Sequence, residues 1–173
     1  MEQVGYDMYC KLLDEVMKEL QGTKPIYNED LEDVQIDINV SSYISDNYIE
    51  NSDLKIRIYQ DIALCRNEEE IIDVTDEIID RFGSMPKEVE NLLEIARIKN
   101  MCRQKGIVKI IQRGINIVFY LSISDFDIEI VEKLTKKYKQ KIKFSSSALP
   151  YITYKIDENK LIIKEIKEFL KEM

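Results

Sequence analysis

Histidine and tryptophan are absent from this 173-residue chain, and glycine (5), proline (3) and cysteine (3) are scarce. Without histidine it lacks the side chain most often used as a general base near neutral pH and the commonest metal ligand. Cys10, Cys65 and Cys102 lie far apart with no CxxC pair, which indicates buried free thiols rather than a disulfide framework or a zinc site. The low glycine and proline content excludes a low-complexity chain. No apolar run reaches the roughly 18 residues of a membrane span, and the N-terminal MEQVGYDMYCKLLDE is acidic and amphipathic rather than signal-like. The expectation is a cytoplasmic protein with no membrane partner. Also missing are a Gly-rich phosphate loop, a GxSxG elbow and any clustered Cys/His set, and neither NEEE nor EDLED has the spacing of a calcium loop. No catalytic residue, cofactor or metal is expected.

What the chain does hold is enough apolar material for a core, 45% of residues, together with 34% charged residues. The charge is unevenly placed. Residues 1–100 carry 10 Lys and Arg against 24 Asp and Glu, net −14, while residues 101–173 carry 15 against 9, net +6. Two subregions with different surfaces follow from that division, and an overall charge of −8 weighs against general DNA binding, which draws its affinity from phosphate neutralisation.

Periodicity organises the first part into helices. Tyr9, Leu12, Leu13, Val16, Met17 and Leu20 recur at helical spacing, and residues 23–33 read as an acidic linker. VQIDINV alternates Val34, Ile36, Ile38 and Val40 with polar residues, as a half-buried strand does. After a loop, Ser52 is placed to cap a helix over about 53–65 with Ile58, Tyr59 and Ile62 inward. Asn67 and Glu70 resemble a capping box for the next helix, and Gly83 suits its left-handed exit. Pro86 then opens a helix carrying Val89, Leu92, Leu93 and Ala96, which stops at Gly106.

From Ile107 the texture is β-rich. IVKIIQ and INIVFYL flank a hairpin at RG, Ser124 caps a helix through SDFDIEIVEKLTKKYKQ, IKFSSS and YITYKI are strands, and ENKLIIKEIKEFLKEM closes as a helix. The expected fold is α+β: a helical part over 1–106, then a ββαββα sheet part over 107–173, packed together as one compact unit. The run KLTKKYKQKIK at 133–143, six lysines around Tyr138, offers an alternative nucleic-acid-binding function. The strands show no alternating set of stacking aromatics, however, and lysines at a helix C-terminus are favoured by its dipole.

The most unusual stretch is EEEIIDVTDEIIDRFGSMP, residues 68–86, dense in acids with one basic residue, Arg81. On a helical wheel Ile71, Thr75, Ile78, Ile79 and Phe82 share one side, predicted to face the core, while Glu69, Asp73, Asp76, Glu77 and Asp80 form a continuous stripe opposite. The i,i+4 pairs 69/73, 73/77 and 76/80 each destabilise by roughly 0.2 to 0.5 kcal/mol, about 1 kcal/mol together. Such a stripe is either ordinary solvated surface or a docking face for an Arg- or Lys-bearing protein.

The same residues carry a family resemblance. DEIIDRFGSMP (76–86) resembles the E-(L/I)-x-D-R-F-G-x-x-P signature in the C-terminal domain of bacterial transcription-repair coupling factors, the Mfd family. VGYDMYCKLLDEV (4–16), DNYIENSDLKIRIYQDIA (46–63) and LLEIARIKNMCRQKGI (92–107) resemble three further motifs of that domain in the same order. The resemblance implies a non-catalytic piece of a large ATP-driven DNA translocase whose motor, polymerase-binding and UvrB-like modules lie N-terminal to it. It implies docking of this domain on the UvrB-like module of the same polypeptide, masking the surface that the repair protein UvrA binds until stalled RNA polymerase or DNA is engaged. The family's contact acids match Glu77 and Asp80, with arginines as partners, and Asp76, Asp73 and Glu69 complete the candidate face. Arg81, at its edge, is placed to tether the helix internally. The chain departs from the family at Glu50, where Pro is usual, at Gln60 and Asp61, where two basic residues are usual on an exposed helix face, and at Lys105, where Leu is usual.

Overall fold

The computed structural model describes residues 34–122, 128–146, 149–157 and 161–173. The expected first helix (Tyr9 to Leu20), the 23–33 linker, Cys10 and the Ser124 cap lie outside the described residues. The architecture is α+β with a five-stranded mixed sheet. Among the described residues, Ser41–Arg97 cluster as one unit, and residues 34–40 with Ile98–Met173 as a second.

In the first unit, helix α1 (Ser52–Leu64) buries Ile58, Tyr59 and Ile62 as expected. Asn51 caps it rather than Ser52: its Oδ1 accepts from the Leu54 N–H at 3.0 Å. Starting there also secures the bond from Lys55 N–H to the Asn51 carbonyl at 3.1 Å, and an Asn cap is at least as good as Ser. The preceding loop is tied down by the Ile44 N–H donating to the Tyr59 hydroxyl at 2.7 Å. Helix α2 (Glu68–Phe82) begins at Asn67, whose Oδ1 accepts from Glu70 N–H at 2.9 Å, while Glu70 Oε2 accepts from Arg66 N–H at 2.6 Å. This is a capping box whose return arm reaches one residue further back than the usual form. Gly83 ends α2 at φ +80° and ψ −159°, a region only glycine occupies without strain. Helix α3 (Lys87–Gln104) follows Pro86, whose carbonyl accepts from Val89 and Glu90, and it buries Val89, Leu92, Leu93, Ile95 and Ala96.

The second unit is the sheet, ordered β1-β2-β3-β5-β4. β1 (Gln35–Asp37) runs parallel to β2 (Ile107–Arg113); β3 (Asn116–Leu121), β4 (Ile142–Ser145) and β5 (Tyr151–Lys155) complete it in antiparallel pairs. The strand expected over 34–40 is shorter than its alternation: Val34 and Ile36 are buried, but a γ-turn from Val40 N–H to the Ile38 carbonyl (2.9 Å) ends it, and Ile38 and Val40 are half-exposed. The β2–β3 hairpin turns at Gly114 and Ile115, one position later than the RG reading, with Gly114 at φ +61° in the first central position that favours glycine. Helices α4 (Ile128–Tyr138) and α5 (Ile162–Glu172) supply the rest of the core. Phe169 stacks on Phe119 at 4.6 Å and on Tyr154 at 4.9 Å between ring centroids, and Tyr138 meets both Tyr154 and Phe169. The Tyr154 hydroxyl donates to buried Glu165 at 2.7 Å, which satisfies a carboxylate otherwise costly to bury; burial first, and then this bond, push the tyrosine's pKa upward.

A candidate docking face on the second helix

α2 is anchored from below by Ile71 and Ile78, both 0% exposed. Burying each is worth about 1.5 to 3 kcal/mol, well above the roughly 1 kcal/mol that the acid stripe costs, so the underside fixes which way the acids point. Glu69, Asp73, Asp76, Glu77 and Asp80 are all exposed on the opposite side. Arg97 of α3 holds the start of the helix, its Nε donating to Glu68 at 2.8 Å and its Nη1 to Glu94 at 3.0 Å. Tyr48 holds the end, donating to the Gly83 carbonyl at 3.1 Å with its ring 6.1 Å from Phe82.

Two residues expected to face inward behave differently. Ile79 is 43% exposed, and Phe82 is only half-buried. Ile79 sits about 100° round the helix from Ile78, beyond the narrow line along which α2 meets its neighbours. Ile72, 46% exposed, lies beside it, so the acid stripe has an apolar margin. Thr75 is half-buried, with its hydroxyl turned back to the Ile71 carbonyl at 2.6 Å.

Within the stripe only Glu77 has a partner among the described residues: Arg81 Nη1 donates to its Oε1 at 2.6 Å. Arg81 thus tethers the helix internally, and its guanidinium also lies 5.2 Å from the Phe82 ring. The pair is solvent-facing, with side chains 37% and 44% exposed, and such i,i+4 pairs contribute only about 0.3 to 0.5 kcal/mol. A carboxylate accepts several hydrogen bonds, so Glu77 keeps capacity for a further donor.

Asp61 of α1 belongs to the same electrostatic neighbourhood. It is half-buried, not on a fully exposed face as the sequence suggested. Its pKa is raised, first by burial and then by the negative charge of Glu77, with Arg57 and Arg81 opposing. Asp61 thus adds a carboxylate beside Glu77. A raised folded pKa favours the protonated acid, so the benefit is complete below the unfolded value near 3.8 and is lost as pH rises through the folded value. Asp61→Asn is therefore expected to raise Tm at pH 7, with the gap to the parent closing as the pH is lowered toward 4. Parallel thermal melts across pH check this; a lower Tm at pH 7 would contradict it.

The alternative basic surface at 133–143 is largely self-neutralised. Lys137 bonds Glu172 at 2.8 Å, Lys141 bonds Asp157 at 2.8 Å, and Lys133 and Lys136 lie 3.9 Å from Glu172 and Glu132. Tyr138 is part of the aromatic core instead of an exposed stacking ring. Cys65 and Cys102 are buried free thiols, burial pushing Cys102 up to about 12. Among the described residues, no group of three or more Cys, Asp or Glu is placed to hold a metal ion, and no helix is long and apolar enough to cross a membrane.

Comparison with known proteins decides the family. Residues 38–131, which include the whole of α2, match the TRCF domain. The chain belongs to the TRCF domain family. It is similar to the transcription-repair-coupling factor of Staphylococcus aureus, 32% identical over 179 residues that cover 98% of this chain, and to that of Staphylococcus haemolyticus, 36% identical over 121 residues and 70% of the chain. The TRCF domain chain spans about 15% and 10% of the length of these curated relatives. Its fold matches the crystal structure of the C-terminal domain of a transcription-repair coupling factor, with TM-score 0.71 and 22% identity over 81% of this chain and 89% of that one. Two features of the TRCF domain's face escaped the sequence reading. The wheel places Ile79 on the core side and does not single out Ile72, yet both are exposed, and the approach of Asp61 to Glu77 is tertiary, with no signal in spacing.

Proposed function

We propose that this TRCF domain is a non-catalytic regulatory module that docks through the acid face of α2 on the UvrB-like module of its own parent polypeptide. The observation that carries the reading is the row of five exposed carboxylates held outward by Ile71 and Ile78, four of them without a hydrogen-bond or ion-pair partner among the described residues. Arginines on the partner complement that row, with Glu77 and Asp80 as the central acceptors. The apolar margin of Ile72 and Ile79 favours a protein partner, since interfaces seal charge pairs against apolar contact.

Docked in this way, the domain masks the surface that UvrA binds. Engagement of stalled RNA polymerase or DNA by the parent, a cytoplasmic ATP-driven translocase, favours the undocked state. Solvent-facing charge pairs worth about 0.2 to 1 kcal/mol each suit a contact that must release. The test is calorimetric titration of this chain with the isolated UvrB-like module while salt is raised from about 0.05 to about 0.5 M, beyond the range where surface charges are felt. Binding that weakens steeply is expected; no binding at low salt, or salt-independent binding, would remove the proposal.

A further inference from the structure

The sheet carries a second surface whose composition is opposite to that of α2. Residues paired directly across strands share one face, so Tyr120, Tyr151 and Ser145 form one row, Val118, Thr153 and Lys143 the next, and Asn116 with Lys155 a third. The alternate residues, Ile117, Phe119, Ile152 and Tyr154, are buried in the aromatic core on the other face. Tyr120 and Tyr151 are half-exposed neighbours with ring centroids 5.5 Å apart and planes at 47°. Lys143 and Lys155 are exposed, and neither has an ion-pair partner among the described residues. Beyond the rings lies a hollow of about 340 Å³ lined by Lys141, Lys143, Lys155, Thr153, Asn116 and Gln140. Of these lysines, Lys141 is engaged by Asp157. Residues 34–40 with 98–173 hold 16 Lys and Arg against 10 Asp and Glu, net +6.

We propose that this face is a platform for single-stranded nucleic acid, with bases stacking on Tyr120 and Tyr151 and phosphates crossing Lys143 and Lys155. Val118 between the rows is buried, but the rings and the two lysines reach solvent, and stacking rings beside cations with no ion-pair partner among the described residues are the two elements that sequence-tolerant single-strand binding requires. From Tyr151 to Lys155 is about 13 Å along β5, which accommodates a short run of extended nucleotides. A duplex keeps its base faces covered and gives the tyrosines nothing to stack on. The platform uses none of the three α4 lysines, all of which are spent on Glu172 and Glu132. It is independent of α2 and of the docking reading.

Fluorescence anisotropy of the full 173-residue chain with labelled oligothymidine and oligouridine of about ten nucleotides tests the assignment at low salt. Lys143→Gln with Lys155→Gln should weaken binding at least about tenfold and reduce the slope of log affinity against log salt by about 1.4, some 0.7 per lost phosphate contact. Tyr151→Ala should weaken binding about tenfold with the salt slope unchanged, and Tyr151→Phe should restore it. Lys133→Gln with Lys136→Gln should bind as the parent does. Binding of either strand type supports the platform, their ratio reporting a preference for DNA or RNA. Failure of both strands to bind, an abasic strand binding as tightly, a duplex competing equally, or an equal loss in the Lys133/Lys136 variant would each overturn it. Retained cooperative melting in every variant separates loss of binding from loss of fold.

Discussion

Reversing charge at Glu77 and Asp80 together, by Glu77→Lys with Asp80→Lys, is expected to weaken the proposed docking on the UvrB-like module while leaving the TRCF domain folded. Two attractive contacts are lost and two repulsive ones introduced, about 2 kcal/mol in all and roughly a thirtyfold loss of affinity. Stability should hardly change. The exchange gives up the Glu77–Arg81 pair but relieves the 73/77 and 76/80 repulsions, terms of similar size, and both positions are exposed. On the proposed docking, the same double substitution in the full-length parent should raise UvrA affinity in the absence of polymerase, since the surface the domain would mask is then open more of the time. UvrA affinity equal to that of the parent protein would remove the docking mechanism, and a lowered Tm would mean the acids do more for the fold than their exposure indicates.

The largest loss of stability is expected from Phe169→Ala. Phe169 is 0% exposed and lies against Phe119, Tyr154 and Tyr138. Removing a buried ring of this kind costs about 3 to 5 kcal/mol through lost transfer energy and the cavity left behind. Against a total stability of about 5 to 15 kcal/mol, that is a substantial share. Tm should fall by at least about 6 °C, with the urea midpoint lowered and its slope unchanged. A drop of only a few degrees would mean that the neighbouring rings collapse into the space, and that α5 is held mainly by Ile166 and Leu170.

Helices with strong caps were legible from the sequence, because their signals are local. Asn67, Glu70 and Gly83 bracket α2 within one residue of the reading, and Ile58, Tyr59 and Ile62 lie on the buried side of α1 as their spacing requires. What failed depended on distant neighbours. Ile79 lies on the apolar half of the wheel, yet no element covers it, since a wheel gives direction and not the width of the contact. Val40 continues the alternation of β1, yet the ladder with β2 ends at Asp37, and the Gln112 side chain takes the Asn39 N–H at 2.8 Å. The Tyr120/Tyr151 pair was invisible because each ring stands alone in its own strand; only the β3–β5 register brings the two side by side. The acids of α2 were readable one by one, whereas the electrostatic reach of Asp61 into them requires two helices to meet.

The pairing of β1 with β2 sets an order of events during synthesis. Ile36 and its partner Ile110 are separated by the entire 41–97 unit, so β1 emerges from the ribosome well before anything exists for it to pair with. At about 5 to 20 residues per second the delay is roughly 4 to 15 s, ample time for the intervening helices to form. An already folded insert brings the chain ends closer than a random coil of that length would, so β1 meets β2 across a preformed unit and not across a loose loop.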